Sequence, residues 1–394
     1  MIPVLEAKRI IENQTDRAKL VSLPLLEAQA LVLAEDVFAP NDIPAYPQSS
    51  MDGYALSFES WRFGHPLSII GEVAAGHNKE ESLAQGHAVR IFTGAAVPPG
   101  ADTVVMQEKV KTDNRHLFIE DEALQPYANV RPQGSEIKAG ALALEAGSLL
   151  TPAAIGFLAG MGFTHVKVYP APKISLIVTG NELQAPGQPL HYGQVYESNS
   201  FLLTAVLRQM QISRLAIYNA EDDLQTLSDT LAMALDQSDM VLLTGGVSVG
   251  DYDFTLDAAA NCGVEKIFHK IKQKPGKPFF FGKKDQKLVF GLPGNPGSVL
   301  TCFYEYVAIA LERWMGREPG IISLMAPLAL PYQKPAGLKH FLKGYYDGQR
   351  AFPLDAQESY RLRSFAKANC LIVIEEEQTE CPEGQLVEIH LLPR

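Results

Sequence analysis

From Lys173 to about Met315 the chain alternates between short apolar, β-branched runs and stretches with apolar residues at helical spacing. The pattern predicts strands at Ile174–Val178, Leu215–Tyr218, Met240–Leu243, Lys266–Phe268 and Leu288–Phe290. Helices are predicted between them at Phe201–Met210, Leu224–Leu235, Phe254–Asn261 and Gly297–Trp314. Alternation of this kind builds a largely parallel sheet covered on both faces. Ahead of it, amphipathic spacing predicts helices at Pro3–Glu12 and Leu25–Leu33, and helical periodicity returns from Leu142 to Leu158. From Leu67 to Glu120 short β-branched runs alternate with glycine turns, predicting an all-β module, and the last ~75 residues revert to short strands.

Composition narrows the class. The chain has 394 residues, long enough for several cores, and 46% hydrophobic with 20% charged residues fits a globular enzyme. A formal net charge of −11 argues against general binding to nucleic acid or to membrane surfaces. Cys262, Cys302, Cys370 and Cys381 lie far apart without a CxxC pair, which fits free thiols in a reducing cytoplasm. The first residues, MIPVLEAKRI, carry mixed charges and no long apolar run, so neither a signal peptide nor a membrane span is expected.

In an open parallel sheet, ligands bind at the carboxyl ends of the strands. The third predicted strand runs into the loop TGGVSVGDYD, in which Gly245, Gly246 and Ser248 let backbone approach a ligand closely and Asp251 and Asp253 follow. The glycine spacing is neither a phosphate-binding P-loop nor a dinucleotide fingerprint. After the fourth strand, Lys266 to Lys277 holds five lysines and no carboxylate, in a chain that is acidic overall. Lys270, Lys274 and Lys277 suit an oxyanion such as phosphate, although a basic run also serves to blunt a sheet edge. Glu182, Asp222 and Asp253 close other strands. Taken singly each fits a turn or a helix N-cap; together they are oxygen donors of the kind Mg²⁺ takes. In LPGNPGS, Pro293 and Pro296 stiffen the turn after the fifth strand. Asp52, Thr93 and Arg131 sit in turn-rich stretches of the N-terminal half, where structural roles are equally available. No nucleophile–histidine pair stands out.

These stretches in one order, SSMDGYA, RIFTGAAVPPGADTVVMQE, RPQGSEIKAG, TGNEL, TGGVSVGDYDF, KPGKPFFFG and LPGNPGS, resemble the molybdopterin molybdenumtransferase (molybdenum insertase) family, to which a module of the scaffold protein gephyrin is related. The resemblance implies a multidomain α/β and β fold. Residues 1–45 with 140–170 would form a discontinuous helical domain, 46–139 an inserted β domain, 171–318 a three-layer α/β molybdopterin-binding domain and 319–394 a C-terminal β barrel. It implies a homodimer that converts adenylylated molybdopterin and molybdate, with Mg²⁺, into molybdenum cofactor and AMP. Molybdopterin adenylyltransferase and apo-molybdoenzymes would be its partners. By motif position Asp52 and Glu182 take catalytic roles, with Asp52 and Thr93 completing a site at the dimer interface. Thr93, Arg131, Gly245, Gly246, Ser248, Lys270, Lys274, Lys277, Pro293 and Pro296 bind substrate, and Asp222, Asp253 and Glu136 hold metal. Four departures stand out: Glu136 and Asn181 where aspartate is usual, and Lys339 and Lys343 in LKHFLKGYY where arginine is frequent. An adenylyltransferase on the α/β domain alone, or a non-catalytic scaffold, are the rival readings.

Overall fold

The computed structural model describes residues 1–62, 65–76, 81–113, 115–245 and 254–393. These fall into two compact units. The first comprises Met1–Ala34, Leu149–Thr151 and His165–Arg394; the second comprises Glu35–Ser148 and Pro152–Thr164. Among the described residues no helix is long and apolar enough to cross a membrane.

The first unit is organised by a six-stranded sheet. In chain order its strands are β1 (Ile174–Thr179), β2 (Leu215–Ala220), β3 (Met240–Thr244), β4 (Glu265–His269), β5 (Phe280–Lys284) and β6 (Lys287–Leu292). They lie in the order β2-β1-β3-β6-β5-β4. The first four are mutually parallel, with Ile174 opposite both Leu215 and Met240, and Met240 opposite Leu288. β5 is antiparallel to both β6 and β4, so β4 again points the same way as the rest. The five predicted strands are therefore present and codirectional. β5 was not predicted: the run PFFFG lacks polar alternation because its phenylalanines are buried from both sides.

Alternation along the strands assigns the two faces. Ile174, Leu176, Met240 and Leu242 join one apolar cluster, while Ile177, Val241 and Leu243 join another. The first cluster takes in helices α1 (Val4–Gln14), α2 (Asn199–Gln209) and the long helix that starts at Pro296; the second takes in α3 (Leu224–Gln237) and α4 (Phe254–Asn261). The result is the three-layer α/β arrangement expected. α3 begins where Asp223 accepts hydrogen bonds from the backbone N–H groups of Gln225 and Thr226, at 3.0 and 2.9 Å.

Two predicted helical stretches need correction. Leu25–Leu33 is a short 3₁₀ turn, Leu25–Ala28, followed by a strand at Val32–Leu33. Ala30 takes a left-handed backbone between them, and Val32 and Leu33 pair with Tyr169 and Val168. Helical periodicity from Leu142 likewise splits into a strand, Leu142–Leu144, and a helix, Pro152–Gly160.

The helix predicted over Gly297–Trp314 is present but not uniform. α5 (Pro296–Cys302) passes into a π-helical turn, Phe303–Val307, before α6 (Ala308–Trp314). In that wider turn the fully buried Glu305 carboxylate accepts from the Lys8 ammonium and from His390 Nδ1, the latter at 2.7 Å. Burial pushes the Glu305 carboxyl up, but the Lys8 charge and the hydrogen bonds from Lys8 and His390 outweigh it and its pKa ends below the usual value. Two turns on, Glu312 has the opposite balance. Burial raises its pKa to about 7, despite the Gly320 N–H at 2.7 Å and the nearby Arg317.

The native state therefore takes up a proton at Glu312 more readily than the unfolded chain. That stabilisation is complete below about pH 4.5 and is lost as pH rises through about 7. Glu312→Gln should be nearly neutral at pH 5 and stabilise the protein by roughly 2–3 kcal/mol at pH 8, read from urea unfolding at the two pH values. Equal effects at both would show that Glu312 does not titrate with folding.

The C-terminal part of the first unit carries a sheet of β7 (Ile322–Pro327), β8 (Lys339–Tyr346), β9 (Cys370–Ile374) and β10 (Leu386–Leu391), with Ala351–Pro353 against β8. Its outer strand is Gln273–Lys274, which pairs in parallel with Lys339 and His340. The lysine-rich segment is thus stitched into this sheet.

The second unit is built on strands Gly53–Leu56, Leu67–Val73, His87–Ile91, Thr103–Met106, Val110–Thr112 and His116–Ile119. Gly53 lies so close to Val105 that a Cβ would stand 1.9 Å from its carbonyl oxygen. That close approach fixes the strand that follows Asp52.

Candidate active site

The carboxyl ends of β1, β2, β3 and β6 open into a cavity of about 1320 Å³. Glu182 and Asp222 come from the segments after β1 and β2, Gly245 from the end of β3, and Pro293 and Pro296 from the turn after β6. Lys274 and Lys277 reach it from the turn after β4. The structure thus brings seven of the sequence-derived residues to one cavity. Lys270 is not among its lining residues; its backbone is left-handed and bonds to Phe279 and Ile2. Gly246, Ser248 and Asp253 lie outside the described residues.

Each wall has a local cause. The lysine turn is held from beneath by the fully buried Gln273, whose amide nitrogen donates to the carbonyls of Pro275 and Gly276 at 2.9 and 3.3 Å. The Gln273 amide oxygen accepts from the Tyr306 hydroxyl, whose pKa burial keeps well above the usual value. Gly276 has φ 83°, and a Cβ there would meet Cys302 Sγ at 2.4 Å. The two lysines are therefore presented on a rigid turn, which suits anion binding because little ordering is left to be done.

The β3 and β6 ends are tied by Asn199, which donates to Thr244 Oγ1 at 2.9 Å and to the Gly294 carbonyl at 2.8 Å. Thr244 in turn donates to the Pro293 carbonyl at 3.2 Å. On the acidic side Asn181 and Asp222 exchange hydrogen bonds, each backbone N–H to the other's side chain at 3.3 Å. A neutral Asn181 leaves Asp222 with no carboxylate opposite it in this exchange.

Sequence reasoning left out the C-terminal segment, yet Tyr332, His340, Phe341 and residues 356–360 also line the cavity. His340 is held neutral, its pKa pulled to about 4 by burial and then by Lys334 and Lys274. Ser359 anchors this wall: its carbonyl accepts from Gly297 N–H at 2.8 Å and its hydroxyl from Asn295 at 2.9 Å. Asn199 was also missed, although it opens a helix in the run ESNS; the 356–360 wall carries no local signal.

The second unit holds the remaining candidates. Asp52 Oδ1 accepts both the backbone N–H and the hydroxyl of Thr93, each at 2.8 Å. These bonds lower the pKa of its exposed carboxyl, against a small opposing effect of burial and with help from Arg90. The Arg90 guanidinium lies over the rings of Tyr54 and Phe92, 5.1 and 5.4 Å from their centres, and bonds to Gln107. Arg131 is exposed, paired by backbone with Gln48, and Glu136 is exposed with its N–H on the Ile43 carbonyl at 2.9 Å. Asp52 and Thr93 are joined; among the described residues no hydrogen bond or ion pair joins Arg131 or Glu136 to them. Among the described residues no three His, Cys, Asp or Glu side chains cluster as a preformed metal cage.

Comparison with known proteins decides the family. Residues 2–162 match the model of the MoeA N-terminal region (domain I and II), 175–313 that of a probable molybdopterin binding domain, and 325–392 that of the MoeA C-terminal region (domain IV). A Haemophilus influenzae protein named molybdopterin molybdenumtransferase is 35% identical over 383 residues, 94% of each chain. The chain belongs to the molybdopterin molybdenumtransferase family. A second relative, molybdopterin molybdenumtransferase 2 of Mycobacterium tuberculosis, is 32% identical over 99% of both chains. The crystal structure of a molybdopterin biosynthesis MoeA protein from Pyrococcus horikoshii superposes with a TM-score of 0.84 at 30% identity, covering 99% of each chain. The molybdopterin molybdenumtransferase family is thus matched along the whole chain, N-terminal half included.

Proposed function

We propose that this protein is a molybdopterin molybdenumtransferase that takes adenylylated molybdopterin and molybdate, releases AMP with Mg²⁺, and delivers molybdenum cofactor. The observation that carries the reading is the shared cavity, in which the rigid Lys274–Lys277 turn and the carboxylates of Glu182 and Asp222 line one strand-end opening. A phosphorylated ligand needs both: ammonium groups to hold anionic oxygens, and hard oxygen donors for the cation that accompanies phosphate.

The donor set fits Mg²⁺. Mg²⁺ is commonly held by one or two carboxylates plus substrate phosphates rather than by an all-protein cage, and of the carboxylates on the cavity lining Glu182 and Asp222 follow the ends of β1 and β2, with Glu197 and Glu358 elsewhere on it. Glu182 and Asp222 would hold it, and it would neutralise charge on the phosphate oxygens. Lys274 and Lys277 bind the pyrophosphate and the oxyanion, while Pro293 and Pro296 keep the opposite turn stiff. The metal's final ligands are the sulfurs of the pterin, which agrees with cysteines that are buried or half-buried and whose thiols burial pushes up. Asp52 acts as a fixed negative charge: a carboxyl held below its ordinary pKa is a weak proton acceptor.

With this reading go a homodimer, the four-part domain division, a cytoplasmic location, an adenylyltransferase that supplies the substrate and apo-molybdoenzymes that receive the product. The test supplies purified protein with adenylylated molybdopterin, Mg²⁺ and molybdate. AMP release together with activation of an apo-molybdoenzyme is expected. Ligand binding without turnover would instead favour a scaffold.

A further inference from the structure

Lys343 sits in the middle of β8, only 4% exposed. Its ammonium donates to three backbone carbonyls of one segment: Ala356 at 2.6 Å, Arg361 at 2.9 Å and Glu358 at 3.2 Å. Its backbone joins the same segment, with N–H on Gln357 Oε1 at 2.9 Å and its carbonyl accepting from Gln357 Nε2 at 2.8 Å. Residues 356–360 are the C-terminal wall of the cavity, and Ala356 enters it with φ 58°, a backbone conformation an alanine rarely adopts. On its far side the wall rests on Gly297, where a Cβ would be 2.6 Å from the Ser359 carbonyl.

We infer that Lys343 is a positioning residue for substrate binding, whose ammonium folds residues 356–361 into the cavity wall. An irregular segment of this kind has no ladder of its own, so its carbonyls need donors from elsewhere. A tetrahedral ammonium with three N–H bonds matches three carbonyls converging from different directions, which a planar guanidinium does not. The lysine is therefore spent within the protein and touches no ligand. Its effect on the reaction passes through Ser359, Gln357 and Tyr360. A loosened wall weakens binding of the large ligand in ground state and transition state alike, so KM should respond and kcat should not.

This inference rests on the proposed activity, and two measurements on the full-length protein separate the two. Turnover by the wild-type protein tests the activity. The comparison of Lys343→Met with wild type tests the inference, by amide hydrogen exchange and by steady-state kinetics. Exchange at residues 356–361 should rise about tenfold or more with the β1 and β3 amides unchanged, and KM for adenylylated molybdopterin should rise about tenfold with kcat within about twofold. Lys339→Met, which removes an ion pair with Glu375 just past the neighbouring strand, should change neither. Unchanged exchange at 356–361, or faster exchange with KM unmoved, overturns the inference. If Lys343→Met does not fold, Ser364→Ala gives the answer. It deletes only the Ser364 hydroxyl's bonds to Ala356 and Arg361, and the same two readouts should move in the same direction by a smaller factor.

Discussion

Asp52→Asn protein is expected to fold normally and to lose at least about 100-fold in the rate of AMP release. The substitution keeps the shape of the side chain, and an amide oxygen can still accept from the N–H and hydroxyl of Thr93, both 2.8 Å from Oδ1 in the native protein. What it removes is charge. Asp52 is exposed, and the two hydrogen bonds from Thr93, aided by Arg90, hold its carboxyl below the ordinary value, so the group is ionised throughout the neutral range. Two consequences distinguish this role from proton transfer. The wild-type rate should show no inflection from Asp52 between about pH 6 and 8, since a depressed carboxylate loses its charge only as pH falls below about 3.8. Asp52→Glu, which keeps the charge and lengthens its arm, should recover more activity than Asp52→Asn. Near-normal AMP release from Asp52→Asn, measured with thermal unfolding unchanged, would remove Asp52 from the mechanism.

The α/β core was legible because buried parallel strands and amphipathic helices leave strong periodic signals. Ile174–Thr179 and Met240–Thr244 are mostly apolar runs buried at every position, and Phe254–Asn261 is a helix with the predicted bounds. The grouping of residues at one cavity was legible for the same reason. Once strand ends are known, the residues following them share an edge, so Glu182, Asp222, Gly245, Lys274, Lys277, Pro293 and Pro296 could be grouped before any distance was available.

What was not legible depends on tertiary partners. Val32 and Leu33 form a strand because Tyr169 and Val168 lie beside them, which overrides a local pattern that fits a helix. The π turn at Phe303–Val307 contains no proline or glycine to announce it, and Glu305 and Tyr306 there meet Lys8, His390 and Gln273 from distant parts of the chain. Lys343 was passed over. In sequence it is only a lysine where arginine is frequent in the resembling family, yet its ammonium donates to three carbonyls. A lysine's burial cannot be read from the residues next to it.

Gly245→Ala is expected to cost about 3–5 kcal/mol of stability and to abolish ligand binding even where the protein still folds. Gly245 has φ 87°, a conformation that disfavours any side chain. The added Cβ would also stand 2.1 Å from the Thr179 carbonyl oxygen and 2.8 Å from Thr179 Oγ1. Thr179 cannot move away, because it closes β1 in the interior of the sheet, where it is 3% exposed and paired with Ala220. The strain must therefore be relieved at Gly245 itself. Gly294, in the facing turn, supplies the contrast: its backbone φ is not left-handed, and a Cβ would lie 3.9 Å from Gly245 Cα, an ordinary contact. Gly294→Ala should thus change stability by less than about 1 kcal/mol. Urea unfolding of the two variants side by side decides the matter. Equal, small losses would mean that the end of β3 yields to a side chain and that the close approach of Gly245 to β1 is not what shapes the cavity floor.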